Sequence, residues 1–211
     1  MTDIDPETEF PRGFFNRQDE SDDAGFYAEP RFVVHIDAPT IAALTQAYRE
    51  LLAPGGVVLD LMSSWVSHLP EEMKFQKVAG LGMNALELDR NPRLTQHVVQ
   101  DLNRQPELPF ADASFDAVIN AVSLQYLTQP VAVFRSCARV LRPGGVHVIG
   151  LSHRCFATKA IMAWHVIPPD QRSHVVRAYF QRAGGYEVPT VWDRSPEDAD
   201  PLWVVWARRK A

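Results

Sequence analysis

Residues 108–150 read LPFADASFDAVINAVSLQYLTQPVAVFRSCARVLRPGGVHVIG, and the order of patterns in this stretch decides the fold. Phe115–Ala121 is short, apolar and rich in β-branched side chains, as expected of a strand covered on both faces. Val131 to Leu141 then sets Val131, Phe134, Ala138 and Leu141 on one helical face, and Pro143-Gly144-Gly145 stops that helix. A second buried strand starts at Val146–Ile149. Turn, strand, helix, turn, strand is the repeating unit of an α/β domain built on a parallel sheet.

The pattern extends in both directions. Asp37-Ala38-Pro39 is a helix start, with an acidic cap and proline in the first turn, and Ile41, Leu44, Ala47, Tyr48, Leu51 and Leu52 follow at helical spacing until Pro54-Gly55-Gly56. Strands are expected at Val57–Leu61, Val78–Leu81 and His97–Gln100, with a short helix near Ala85–Leu88. Beyond the core stretch, Ala157–Val166 and Gln171–Gly184 read as helices, and Tyr186–Trp192 and Leu202–Ala207 as closing strands. The expected fold is α/β: a Rossmann-like, seven-stranded, mostly parallel sheet with one antiparallel edge strand and helices on both faces. Residues 1–25 are expected to form a flexible acidic arm, because Asp19, Glu20, Asp22 and Asp23 cluster there without a periodic apolar face. Residues 26–211 are then one domain, with an N-terminal lid at 26–53 and an insertion at 153–184 after the fifth strand.

A chain of 211 residues, 46% of them hydrophobic, can bury one such core but not two. The formal net charge of −5 gives no general attraction to phosphate backbones, so no nucleic-acid partner is expected. No apolar run is long enough to cross a bilayer, and the acidic start lacks the order of a signal peptide. A cytoplasmic address with no membrane partner is the expectation. Cys137 and Cys155 have no CxxC spacing, and the seven histidines show no HxxxH pair, so neither a disulfide nor a metal site is expected. Ser63-Ser64 lack a GxSxG frame, which argues against a serine hydrolase.

Leu108-Pro109-Phe110, Ser114-Phe115-Asp116 and Arg139-Val140-Leu141-Arg142-Pro143-Gly144-Gly145 together resemble the class I S-adenosylmethionine-dependent methyltransferases, particularly the ubiquinone and menaquinone methyltransferase-like branch. The resemblance spans about Val57 to Ile149. It implies transfer of a methyl group from S-adenosylmethionine to a small-molecule acceptor by a monomer or homodimer. It also implies a cofactor crevice at the carboxyl ends of the strands, where the order reverses. Carried over residue by residue, the cofactor-binding set is Asp60, Met62, Ser63, Ser64, Gly82, Met83, Asn84, Asp101, Leu102, Ala121 and Val122. Asp101 matches the acid that accepts from the adenine amine, with Leu102 against the ring.

The chain departs from the family's pattern in two places. Leu59-Asp60-Leu61-Met62-Ser63-Ser64-Trp65-Val66 keeps the acid Asp60 but has none of the glycines that let backbone approach the ligand. Gly82 stands where relatives carry the acid that binds the ribose hydroxyls, leaving Asn84 or Glu87 to reach them, although Asn84 also fits a helix cap. For chemistry, Tyr126 and His153 are the candidate catalytic side chains, the first able to face the methyl group and the second to take a proton. Tyr126 can equally pack its ring, and His153 can be a hydrogen-bonded surface residue. Tyr27, Arg31, His35, Gln125, Arg154 and Trp164 are candidates for holding the acceptor, Arg154 through a carboxylate. Trp164 also reads as a buried helix face. Trp65 either walls the acceptor pocket or fills core. The departures leave a second reading open, a methyltransferase-like protein that binds or regulates without catalysis.

Overall fold

The computed structural model describes residues 10–211. Its elements are α1 Asp23–Phe26, α2 Ala38–Leu51, β1 Val57–Leu61, β2 Lys77–Gly82, α3 Ala85–Asp89, β3 Gln96–Val99, β4 Phe115–Ala121, α4 Pro130–Val140, β5 Leu141–Leu151, α5 Met162–Val166, α6 Arg172–Ala183, β6 Thr190–Asp193 and β7 Trp203–Arg208. The strands form one seven-stranded sheet in the order β3-β2-β1-β4-β5-β7-β6. Pairings from β3 through β5 are parallel, and antiparallel pairing is confined to β7 with its neighbours β5 and β6. The strand that runs against the others, β7, therefore lies one place in from the edge.

Strand residues alternate between two cores, which is why the continuous apolar runs were needed. Val57, Leu59 and Leu61 of β1 join Phe134, Cys137, Val176 and Phe180 of α4 and α6 on one face. Val58 of β1 and Ala117 and Ile119 of β4 join Leu44, Ala47, Tyr48 and Leu51 of α2 on the other. Helix α2 begins as its sequence requires, with the Asp37 carboxylate accepting from Thr40 N at 3.0 Å.

The three sequence segments that decided the fold interlock. Arg139 donates to the carbonyls of Leu108 at 2.6 Å and Phe110 at 2.8 Å, tying the Leu-Pro-Phe turn to α4. Asp116 accepts from Val57 N at 2.7 Å and from Arg142 at 2.7 Å, tying β4 to β1 and to the Pro-Gly-Gly turn. That turn is not merely a helix stop. Partner residues step from Phe115↔Leu141 to Ala117↔Val146, so residues 142–145 bulge out of the paired strand.

Two further features shape the site. Residues 62–76, between β1 and β2, contain no helix, so the first crossover leaves the sheet as an irregular loop. Residues 10–25, expected within a flexible arm, are packed: Phe10 and Phe15 lie 5.5 and 6.2 Å from the Tyr179 ring, and Ala163 N donates to Phe14 O at 3.1 Å. The rest of the expected arm, residues 1–9, lies outside the described residues.

Candidate functional site

A cleft of roughly 1150 Å³, its open mouth included, lies at the carboxyl ends of β1, β2, β3 and β4. All of Asp60, Met62, Ser63, Ser64, Gly82, Met83, Asn84, Asp101, Leu102, Ala121 and Val122 border it. So do Tyr27, Arg31 and His35 from the segment before α2, and Tyr126 from the turn after β4. The topology explains the convergence, because β1 and β4 are adjacent while their crossovers leave in opposite directions.

The glycine-free loop achieves a glycine-like path at a cost in backbone torsion. Met62, directly after β1, has φ 56°, and Val122, directly after β4, has φ 45°. A left-handed torsion at a β-branched residue is uncommon and clusters at functional sites. Surrounding bonds hold both turns. Ser63 N donates to Leu81 O at 2.8 Å, Val122 N donates to Gly150 O at 2.9 Å, and the Gln125 amide donates to Val122 O at 2.7 Å.

The first of these bonds explains Gly82. Ser63 crosses the end of β2, and a Cβ built on Gly82 would stand 2.3 Å from the Ser63 carbonyl oxygen. The place of an acidic side chain is thus filled by the chain's own backbone. Asn84 is not the substitute, because its side chain caps α3 by accepting from Glu87 N at 3.1 Å and donates to Tyr27 O and Ala28 O at 2.9 and 3.0 Å. Glu87 borders the cleft and carries the available carboxylate. It is oriented by Ser64 Oγ and by the backbone N–H of Arg31, each at 2.6 Å.

Asp60 accepts from Ser63 Oγ and Ser67 Oγ, both at 2.6 Å, and is 3% exposed. Burial raises its pKa from 3.8 to about 6 against the opposing pull of the two hydroxyls. A carboxyl raised in the folded state favours the native protein most when protonated, so its contribution is present below pH 4 and is lost as pH rises to about 6. From the shift the loss is about 3 kcal/mol. Asp60→Asn is therefore expected to flatten the fall in urea-unfolding free energy between pH 4 and 7. An unchanged pH profile would refute this account.

Asn103, next to Asp101 and Leu102 at the end of the third strand, also borders the cleft, and residues outside the sequence reading complete it: Asp23, His68 and Phe156. His68 is held by its carbonyl, which accepts from Thr45 Oγ1 at 2.9 Å, and burial followed by the charge of His35 lowers its pKa to about 4. Burial also lowers His35. Two imidazoles that remain neutral at physiological pH thus face one cleft. Asp23 accepts from Arg17 at 2.8 Å, Asn103 at 2.9 Å and Lys159 at 3.1 Å, and Lys159 is itself fully buried. Burial opposes ionisation of Asp23, but these bonds outweigh it and hold the carboxyl below its ordinary range. No composition or periodicity rule could have placed these residues together.

The remaining candidates lie elsewhere. Tyr126 borders the cleft, but its hydroxyl accepts from Phe156 N at 2.8 Å and burial pushes its pKa up to about 12, so it is a wall rather than a base. His153 and Arg154 lie outside the cleft, both against Asp200, at 3.4 and 2.6 Å. Asp200 in turn meets the start of α2 through Asp37 N. Gln125 is buried beneath the Val122 turn and Trp164 in the core, where Arg172 donates to its carbonyl at 2.6 Å. Trp65 neither lines the cleft nor fills core. Its indole N–H donates to Val33 O at 2.9 Å and pins the segment before α2. Among the described residues no group of three or more His, Cys, Asp or Glu could hold a metal ion, and no helix is long and apolar enough to cross a membrane.

The fold is that of the class I methyltransferases. A methyltransferase from Haloferax volcanii, solved in complex with the Trm112 methyltransferase activator, aligns at TM-score 0.62 and 16% identity over 80% of this chain and 89% of its own. An S-adenosylmethionine-dependent methyltransferase from Mesorhizobium loti aligns at TM-score 0.55 and 20% identity over 79% and 98%. Phosphoethanolamine N-methyltransferase 2 from Haemonchus contortus, solved with S-adenosylmethionine, aligns at 0.59 and 15% over 81% and 52%. In sequence, residues 71–149 match the family described as Methyltransferase domain. A Mycolicibacterium smegmatis protein named "Probable S-adenosylmethionine-dependent methyltransferase" is 42% identical over 48 residues, a stretch that covers 23% of this chain and only 19% of that protein. The chain thus has the class I methyltransferase fold, and its central part is similar in sequence to the methyltransferase domain.

Proposed function

We propose that the protein transfers a methyl group from S-adenosylmethionine to a small-molecule acceptor held in the cleft. One observation carries the reading: the strand ends of β1, β2, β3 and β4 border a single cleft that residues of the 23–35 segment line as well. The residues present fit the cofactor by the chemistry of their groups. Asp101 offers an acceptor for an adenine amine, and Leu102, 4% exposed, an apolar backing for the ring. Glu87 offers a carboxylate for ribose hydroxyls in the place that Gly82 cannot serve. Arg31 brings an unpartnered guanidinium nitrogen.

S-adenosylmethionine supplies an electrophilic methyl on a sulfonium. The protein's part is alignment and exclusion of water, which by themselves account for much of a displacement rate. Tyr27, Tyr126 and Phe156 wall the cleft with aromatic surface. His35 or His68, neutral at physiological pH, receives the proton of an acceptor that must lose one. The net charge of −5 argues against nucleic acid as the acceptor.

Calorimetry with S-adenosylhomocysteine tests the reading, with binding expected in the micromolar range. Absence of binding to it and to S-adenosylmethionine at millimolar concentration would overturn it. A second reading, binding without catalysis, draws on the missing helix after β1, whose N-terminus would otherwise attract an anion. Cofactor-dependent mass gain of 14 Da in any small molecule from an extract would exclude that reading.

A further inference from the structure

The segment that borders the cleft before α2 carries an arginine with an unpartnered nitrogen. The Arg31 guanidinium carbon lies 4.6 Å from the ring centre of Phe26, 5.4 Å from Phe156 and 5.9 Å from Tyr27. Nη2 donates to the Phe26 carbonyl at 2.8 Å. Nη1 is buried and has no hydrogen-bond partner. Several other arginines meet acids: Arg17 with Asp23, Arg49 with Glu72, Arg139 with Asp112, Arg142 with Asp116 and Arg154 with Asp200; Arg172, over Trp164, shares the unpartnered Nη1 but does not border the cleft, as Arg31 does. Arg31 meets no acid among the described residues.

A cation withdrawn from water without an anion is costly, and aromatic faces compensate only in part. Because Arg31 borders the cleft, a ligand there can complete it. The position is well determined, because Arg31 N donates to Glu87 at 2.6 Å and the following segment is pinned through Val33 O by Trp65. The rings offer no acceptor to Nη1, so what is missing there is an acceptor, and an anion supplies the charge as well. A carboxylate provides both.

We propose that Arg31 is a carboxylate receptor built into the segment bordering the cleft. This rests on the reading that the cleft takes S-adenosylmethionine and its acceptor, and it names the group that the segment recognises. Arg154, the arginine that sequence alone nominated for a carboxylate, is spent on Asp200. Because Nη1 is screened from water, the carboxylate arrives with the ligand. Two sources supply the same chemistry, the amino-acid end of the cofactor and the acid group of an acceptor.

Titration calorimetry of wild type, Arg31→Met and Arg31→Lys separates them. Methionine keeps an apolar stem against the rings, and matching melting curves establish that the variants are folded. The probes are S-adenosylhomocysteine, 5′-methylthioadenosine, which is the same nucleoside thioether without the amino-acid end, and benzoate added to protein saturated with S-adenosylhomocysteine. Wild type is expected to bind S-adenosylhomocysteine at least ~10-fold more tightly than methylthioadenosine, and Arg31→Met to erase that preference while leaving methylthioadenosine unchanged, with Arg31→Lys between. If both nucleosides are unaffected and benzoate binding is lost, the carboxylate is the acceptor's. If Arg31→Met alters neither S-adenosylhomocysteine nor benzoate binding, the receptor is overturned. If wild type binds neither nucleoside, the cofactor reading fails, and benzoate titration of the protein alone decides the role of Arg31.

Discussion

Gly82→Ala is expected to destabilise the protein by about 2–3 kcal/mol, and Gly82→Asp by more. The added Cβ would lie 2.3 Å from the Ser63 carbonyl oxygen, 3.3 Å from its carbon and 3.2 Å from Leu88 Cδ2. The first two are backbone atoms and cannot rotate away. Ser63 is fastened on both sides, by its N–H on Leu81 O and its hydroxyl on Asp60, so relief requires the whole loop from Met62 to Ser64 to lift. The substitution has a second use. Aspartate is what the family pattern would place here, so if relatives are a guide to this cleft, Gly82→Asp should improve cofactor binding. The geometry predicts the opposite, because lifting the loop removes Ser64 from Glu87 and opens the cleft wall. Urea unfolding and S-adenosylhomocysteine calorimetry on the two variants check both parts. Stability within about 0.5 kcal/mol of wild type, the range of an ordinary surface change, would mean that the loop is free to move and that the account of Gly82 is wrong.

Asp23→Asn is expected to cost about 3–5 kcal/mol, the range for breaking a buried ion pair from one side. The Asp23 carboxylate, 5% exposed, joins Arg17, Lys159 and Asn103. Lys159 is fully buried, with Nζ 2.7 Å from Ser21 O, and when Asp23 is neutralised it keeps only the partly exposed carboxylate of Asp19 at 3.2 Å. Because Asn103 borders the cleft, the same knot fastens the segment around α1 to the site. The variant should therefore expose residues 17–31 to limited proteolysis and weaken S-adenosylhomocysteine binding, as well as lowering the urea midpoint. Acid should reproduce the effect. Asp23 is held below its ordinary range, so its contribution is complete above pH 4 and is lost as pH falls through the depressed value. Asp23→Asn/Lys159→Met, which also removes the buried cation left with Asp19 alone, should recover part of the loss. If the single variant is as stable and as protease-resistant as wild type, the knot does not hold the segment.

Legibility from sequence followed the range of the interactions. Strands and helices were readable because a buried strand must be apolar and short, and a surface helix must repeat its apolar face, whatever it later touches. The turns were readable for a similar reason, since Pro143-Gly144-Gly145 and Pro54-Gly55-Gly56 restrict the backbone locally. What the Pro-Gly-Gly turn does was not readable: its bulge is set by pairing with β4 and by Arg142 on Asp116. The cleft floor was readable because parallel strands deliver their carboxyl ends to one rim, so the residues after β1, β2, β3 and β4 converge by topology alone. The side chains that arrive from elsewhere were not. His153 and Arg154 stand at the correct strand end and are claimed by Asp200, some 46 residues away in sequence. His68 sits in a loop without periodicity, and Asp23 in a stretch whose acidity reads as solvated until Arg17 and Lys159 are seen against it.

The sequence by itself determined an α/β domain of methyltransferase type and the rim on which a ligand must lie, because apolar period, caps and turn residues act within a few positions of themselves. The tertiary structure alone decided that Ser63 occupies the acid's place at Gly82, that Ser64 and Arg31 N orient the Glu87 carboxylate at the cleft, that Arg154 is paired with Asp200 and that Arg31 meets no acid among the described residues. Those outcomes depend on which charges and backbone atoms meet after the chain has folded, and electrostatics and close packing act across space without regard to distance along the chain.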